Sequence, residues 1–477
     1  MAKKITVNTS KSKKQAKISA VLPTDEVYSS RGGLLFYSRY VEATGMPSRL
    51  QEEFGSLRKN AKGLAIDQLA LQLLCFFMDG SSRHITWFDH LQKKEPGYQE
   101  IIGATCLASS HTIKRFFGCF NEHHGPQFRK LLHNMFLDRL EKSGVNVILL
   151  GLDSMVLDND DAEKREGVQC TYKKVKGYHP LQLNWGNMLV DALFRSGAKH
   201  SNHETDAYDM LETIIKRIRR VESLAHLPII VRMDAGFFDK KILDMLDEYN
   251  VGYLCGGKLS ESLINSAYAI PEWQTFTKRK NGKTQWKYVV FPHIFSKSKK
   301  ERRVVYSRLS AKHDGQLYVE LDGIGDDHCF ITNIGQGQRI DQLMKEAHQA
   351  HFVDDSDNLF DLYHGRGADE LANRALKDFG HEQLPFQHFH ANEAWYYMMV
   401  LGNNLFEVFK QDVCDSVISI SMYASTFRRQ MIDVAAKVVR HAGKLVMKVS
   451  RAVYENLNME ILFTKAADKL HVIPQLE

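Results

Sequence analysis

The chain has 477 residues, 44% hydrophobic and 25% charged, which is ordinary for a globular protein and suggests about three domains on a prior of roughly 150 residues each. Its longest apolar stretch, GLAIDQLALQLLCFFM at residues 63 to 78, contains Asp67, Gln68 and Gln72 and falls short of the ~20 apolar residues of a membrane span, so no membrane partner is expected. Seven scattered cysteines with no C-x-x-C pair exclude a disulfide framework and a zinc site and make the cytoplasm the expected compartment, and the formal charge of +6 is matched by Lys3, Lys4, Lys11, Lys13, Lys14 and Lys17 alone.

Residues 1 to 30 read as a basic flexible arm without the apolar run of a secretory signal, suited either to phosphate backbones or to solubility alone. Residues 31 to 141 carry apolar residues at three- and four-residue steps and are predicted to be a helical, DNA-binding domain. Within it, Ser109 or Ser110 caps a short helix that bears Lys114 and Arg115, either the reading helix of a helix-turn-helix or a plain structural helix. At residue 144 the pattern changes to apolar runs: VNVILLGLDSMVL, YHPLQLNW and NMLVDALFR, then helix 203 to 223, strand PIIVRMD, helix 239 to 249 and strand VGYLCGG. Three strands, a helix, a strand, a helix and a strand are the order of a ribonuclease-H-like, retroviral-integrase-like α/β core, here its first part over 142 to 257. Residues 258 to 330 read as a β-rich insertion, with a hairpin turning at Asn281-Gly282, strands RRVVYSRL, QLYVELD and HCFITNI, and a basic segment KSKKERR. Residues 331 to 410 return to helix as the second part of the core, with Trp395, Met398, Met399 and Leu405 facing inward, and 411 to 477 are expected to be a helical C-terminal region.

Two of the predicted buried strands end on a carboxylate, Asp153 and Asp234. An acid in that position is costly unless paired or bound to metal, although Asp153 could also close a turn and Asp234 could cap the helix begun by DAGFFDKK. Asp158, Asp160 and Asp161 rival Asp153 but sit in the polar DNDDAEKRE loop. The third acid comes from YHGRGADELANRALK, residues 363 to 377. Tyr363, Arg366, Glu370 and Lys377 are spaced by three, four and seven, which at ~100° per residue sets them within roughly 60° of one another on a helix. Gly365 and Gly367 weaken the start of that helix, so the shared face is safest for Glu370 and Lys377, while Asp369 points about 100° away. A solvated amphipathic helix is the competing explanation. His179, before Pro180, reads as structural.

The Tyr-x2-Arg-x3-Glu-x6-Lys spacing resembles the signature of bacterial insertion-sequence transposases of the DDE type. GYHPL, LFRSG, VRMDAGF and the ending RRQMIDVAAKVVRHAGK are similar to the group-1 DDE-domain branch, in the same order, over most of residues 100 to 450. One departure is Met155, where the family commonly has Thr after Asp-Ser. The resemblance implies a cut-and-paste transposase, found with the bacterial nucleoid. Asp153, Asp234 and Glu370 would hold two Mg2+ or Mn2+ ions for in-line attack on a phosphodiester by water and then by a DNA 3′-hydroxyl. It further implies that Tyr363, Arg366 and Lys377 contact DNA backbone, and that a homodimer synapses the terminal inverted repeats before joining them to target DNA. The alternatives are a structure-selective nuclease on the same core that cuts without joining, and a non-catalytic DNA-binding derivative.

Overall fold

The computed structural model of the chain describes residues 18, 20–57, 63–278, 283–295, 300–312 and 327–474. The expected turn at Asn281-Gly282, strand QLYVELD, the Lys3 to Lys17 arm and the start of KSKKERR lie outside those residues.

The N-terminal third is helical, as its periodicity predicts. Helix α1 (Ile66–Asp79) is buried on nearly all sides and stops at Gly80, whose φ of +60 permits the left-handed turn and whose N–H bonds the Phe76 carbonyl. Ser109 caps α2 (Ser110–Phe117) by accepting the Thr112 N–H at 3.2 Å, which settles the choice between the two serines. Helix α3 (Gly125–Ser143) begins with Pro126 in its first turn and ends before Gly144.

Among the described residues, nine strands then form one mixed sheet. In chain order they are β1 (Ile148–Ser154), β2 (Leu181–Trp185), β3 (Met188–Leu193), β4 (Ile229–Met233), β5 (Gly252–Gly256), β6 (Gln274–Thr277), β7 (Gln285–Ile294), β8 (Glu301–Ala311) and β9 (Asp327–Thr332). Across the sheet they run β6-β7-β8-β9-β5-β4-β1-β2-β3. Strands β1, β4 and β5 are parallel, and the two crossovers they require are α4 (Asp206–Arg220) and α5 (Lys240–Glu248). The strands of residues 258 to 330 do not make a separate body: β9 pairs with β5 and carries the sheet outward.

Side-chain parity sorts the two faces. Ile148, Leu150 and Leu152 of β1 and Ile229, Val231 and Met233 of β4 enter the larger apolar core, with α4, α5 and α8 (Phe389–Phe409). Ile230 and Leu254 enter a second cluster with Phe330, Leu359 and Phe360, under α6 (Ser356–His364). Residues 153 and 234 share parity with that second face. Trp395, Met398, Met399 and Leu405 are all buried in α8, as expected, although this helix is enclosed on every side. Among the described residues no helix is long and apolar enough to cross a membrane, and all seven cysteines are free thiols.

Three expectations need correction. The stripe from Tyr363 to Lys377 is not one helix, because the chain turns at residues 365–366 between α6 and α7 (Gly367–Gly380). There Gly365 and Arg366 donate to the carbonyls of Asp361 and Tyr363, and the flanking glycines make the break inexpensive. Residues 411 to 477 are not all helical: Ala436–His441 and Lys444–Lys448 form a hairpin, favoured by the β-branched Val438 and Val439 and turned at Ala442 and Gly443, both with positive φ. The basic arm ends in structure, since Tyr28–Ser29 adds a third strand to that hairpin by pairing with Lys437 and Ala436.

Candidate active site

Register places the first two acids side by side. Leu152 of β1 pairs with Met233 of the parallel β4, so the following residues, Asp153 and Asp234, leave the carboxyl ends of adjacent central strands. In open α/β sheets this edge is where ligands bind. Gly256, at the end of β5, keeps the edge narrow: a Cβ there would lie 2.6 Å from the Ala235 nitrogen, 3.1 Å from the Asp234 carbonyl carbon and 3.0 Å from the Tyr363 hydroxyl.

Asp153 is mostly enclosed. Its Oδ1 accepts the Ser154 N–H and its Oδ2 accepts the Asn373 amide of α7, each at 2.8 Å. Burial pushes its carboxyl up to about 6, opposed by the Ser154 N–H and by Arg366 and reinforced by the charges of Asp234 and Glu370. Asp234 caps the one-turn helix Ala235–Phe237, with Oδ1 accepting the Gly236 N–H at 2.8 Å. The capping alternative from the sequence is therefore realised, yet it uses one oxygen only. The second, Oδ2, lies 3.8 Å from Arg366 Nη1, and Arg366 Nη2 lies 3.7 Å from Glu370 Oε1. Thus the guanidinium stands between two of the acids, while Asn373 ties the third to the same helix.

The acids face one space but are not closed around it. Among the described residues no group of three or more His, Cys, Asp or Glu side chains is near enough to hold a metal ion as placed. Arg366 sets a positive charge beside both Asp234 and Glu370. The donor set itself, carboxylate oxygens only, suits a hard divalent ion.

The other predicted residues are distributed differently. Tyr363 stacks on Phe330, with ring centroids 4.4 Å apart, and burial pushes its phenol up to about 12. It supports the end of β5 instead of lying open on the surface. Lys377 turns to Glu382 at 2.7 Å. Lys114 and Arg115 are exposed on α2, an element packed on α8 through Phe117 and Trp395. Asp158 accepts the Asp160 N–H, as a turn residue does, and Asp160 accepts the N–H of Lys176. The side chain of Asp369 lies outside the described residues.

Several further residues support the acids. Ser154 Oγ stands 2.9 Å from His179 Nε2 and 3.0 Å from Ser201 Oγ, and His179 Nδ1 is 2.5 Å from the Lys199 carbonyl. The carbonyl requires the proton on Nδ1, so Nε2 accepts from Ser154, consistent with burial holding the imidazole below its ordinary pKa. His179 is structural, as read, and its task is to fix the residue after Asp153. Met155 is buried in the larger core. Arg232, on the second face of β4, donates to the Leu362 carbonyl at 3.1 Å and anchors the end of α6 just before Arg366.

The chain itself matches the model of one family over nearly its full length: the Transposase DDE domain group 1, at residues 11–471. The chain belongs to that family of DDE transposases, a class that uses divalent metal ions and acts on DNA. Among solved structures it is similar to a piggyBac transposase synaptic complex with hairpin DNA, at 10% identity and TM-score 0.40, covering 84% of this chain and 79% of that one. No curated protein matches it.

Proposed function

We propose that the protein cleaves DNA at the ends of its own element and joins them to target DNA, through a site made by Asp153, Asp234 and Glu370 on a ribonuclease-H-like core that the strands of residues 258 to 330 interrupt. The observation that carries this reading is the convergence on one sheet edge of three acids distant in sequence, with Arg366 paired to two and Asn373 to the third. The strand order β3-β2-β1-β4-β5, with β1, β4 and β5 parallel, supports the core assignment.

The three acids would hold a pair of Mg2+ or Mn2+ ions, which when bound supply activation of the attacking water or 3′-hydroxyl and stabilisation of the departing oxygen. The chain's own residues prepare that site. Asn373 and the Ser154 N–H orient both oxygens of Asp153, and the Gly236 N–H leaves one oxygen of Asp234 turned inward. Arg366 and Lys377 would hold backbone phosphates beside the cleaved bond, and Lys114 and Arg115 would contact the duplex elsewhere. The working unit would be a homodimer bridging two element ends.

The test is Mg2+-dependent cleavage and strand transfer of a labelled element end by wild type, Asp153→Asn, Asp234→Asn and Glu370→Gln. All four should bind the end, and the three variants should lose cutting by at least about a thousandfold, the scale of removing an electrostatic catalytic group. A variant that cuts near the wild-type rate identifies a misassigned acid. Cutting by wild type without joining of a pre-cleaved end favours a nuclease.

A further inference from the structure

Resting on that reading of the acids, we infer that the hairpin of residues 169–178 belongs to the DNA site, and that the Tyr172 ring at its tip stacks on an unpaired base beside the scissile phosphate. The hairpin lies in the connection from β1 to β2, its strands Gln169–Cys170 and Lys176–Tyr178 paired in antiparallel register. Tyr172 is 62% exposed, and among the described residues its hydroxyl makes no hydrogen bond. Its ring lies 5.1 Å from that of His179, centroid to centroid, and His179 holds Ser154 beside Asp153. Burial, and after it the charges of Asp153, Asp234 and Glu370, raise the phenol above its ordinary value, so the ring stands within electrostatic reach of all three acids. Lys173 and Lys174 follow it, both exposed and, among the described residues, without an acidic partner. Lys173 Nζ is 5.7 Å from the Tyr172 ring centroid.

The tip is held in one geometry. Buried Thr171 donates from its N–H and its hydroxyl to the Val175 carbonyl, at 2.9 and 2.8 Å, and the Lys174 N–H bonds the Thr171 carbonyl from a left-handed backbone with φ of +63. Beneath it, a Cβ on Gly197 would lie 2.3 Å from the carbonyl oxygens of both Gln169 and Gly177, so the hairpin packs directly on backbone. A lone exposed tyrosine is ordinary. One fixed on a rigid turn beside three acids, with two lysines next to it, has the composition of a single-strand contact. An aromatic face has no attraction for a phosphate, whereas every nucleobase offers a π-face, and lysines serve the backbone. Inside a duplex both faces of a base are covered by its neighbours, so a base on Tyr172 has left the stack. Because His179 ties the ring to the residue after Asp153, holding that base places the adjoining phosphate relative to the acid. The consequence is selectivity: ends whose bases unpair readily beside the cut are favoured.

The experiment uses the full chain and an element end that carries iodouracil, paired or unpaired, on either side of the scissile phosphate. It is run in Ca2+, whose flexible coordination permits binding without in-line chemistry. Irradiation of the wild-type complex should cross-link the iodouracil to the peptide containing Tyr172. Tyr172→Phe should keep the cross-link and bind the unpaired end within about twofold of wild type, whereas Tyr172→Leu should lose the cross-link and bind about tenfold more weakly, the scale of one base–aromatic stack. Exchanging the base among all four should change wild-type affinity by less than about threefold, because stacking tolerates sequence. Lys173→Ala combined with Lys174→Ala should make the salt dependence shallower by about two phosphate contacts. Tyr172→Leu should melt with wild type, since the ring is exposed. A lower melting temperature together with no wild-type cross-link at Tyr172 makes the ring a prop for His179 and overturns the inference. Equal affinity of Tyr172→Leu and wild type also overturns it, and the acids stay assigned if Asp153→Asn binds the end and fails to cut it in Mg2+. A wild type that neither binds nor cuts the end overturns both readings.

Discussion

At the scale of single residues, Asp153 carries the clearest pH signature. Burial, with added repulsion from Asp234 and Glu370, keeps its proton on up to about pH 6, while the ordinary value is 3.8. A carboxyl that holds its proton more tightly when folded favours the folded state at low pH, and that advantage is lost as pH rises between those two values. In chelator, the melting temperature of wild type should therefore fall across this window and stay lower above it. Asp153→Asn removes the component, so its melting temperature should exceed that of wild type at neutral pH, and the two should converge in acid. A flat wild-type profile with no gain in the variant would contradict the enclosed, repelled carboxyl. Asp153 and Asp234 were legible as residues because each follows a run of buried apolar side chains. The His179–Ser154–Ser201 chain and the Asn373 contact were not, since serine, histidine and asparagine carry no periodic signal and the pairs span 25, 47 and 220 positions.

Among elements, the helix that carries Glu370 is held at its far end by Arg428. That guanidinium is buried and donates to the carbonyls of Phe77 and Met78 in α1 and of Asp378 and Phe379 in α7. It satisfies the last carbonyls of two helices at once, where the helix dipoles are negative. Its planar fork fits this task and an ammonium does not. Arg428→Lys should cost roughly 2–3 kcal/mol of stability by urea denaturation, and should reduce cleavage because α7 loses its anchor. From sequence, this arginine belonged to a basic helical tail. Its segment does begin helical, but the residues after it turn into a hairpin that finds its third strand at Tyr28. Amphipathic periodicity marked α1, α4 and α7 well. It misjudged residues 436 to 448, where two β-branched residues and a glycine turn were too short a cue to outweigh the helical pattern around them.

For the whole molecule, the N-terminal helices and the sheet are joined by a buried charge cluster. Asp191 of β3 is fully buried, accepts both Nε and Nη2 of Arg129 at 2.8 and 2.6 Å, and lies 3.0 Å from His133, both on α3. Although burial opposes it, His133 and Arg129 hold the carboxyl well below the usual range. Removing one partner of such a pair leaves the other charged and enclosed, so Asp191→Ala should destabilise the protein by about 3–5 kcal/mol in chemical denaturation. Docking of α3 on the sheet should weaken with it, detected as faster hydrogen exchange in residues 125–143. If the helices before residue 144 unfold independently of the sheet in wild type, this cluster does not join them.

Sequence by itself determined the succession of strands and helices around the core, the acids that close two central strands, and the acid on the covering helix. Those features are written locally, in the alternation of apolar and polar residues, the length of buried runs, and the caps and glycines that bound them. Only the tertiary structure decided that Arg366 turns inward to the acids, that Tyr363 supports a strand end, that Arg428 closes two helices and that the strand at Tyr28 pairs with the hairpin of residues 436 to 448. Each of these depends on which surfaces dock. The energy of an ion pair, a carbonyl cap or a strand pairing is realised between groups far apart along the chain, and no local pattern records it.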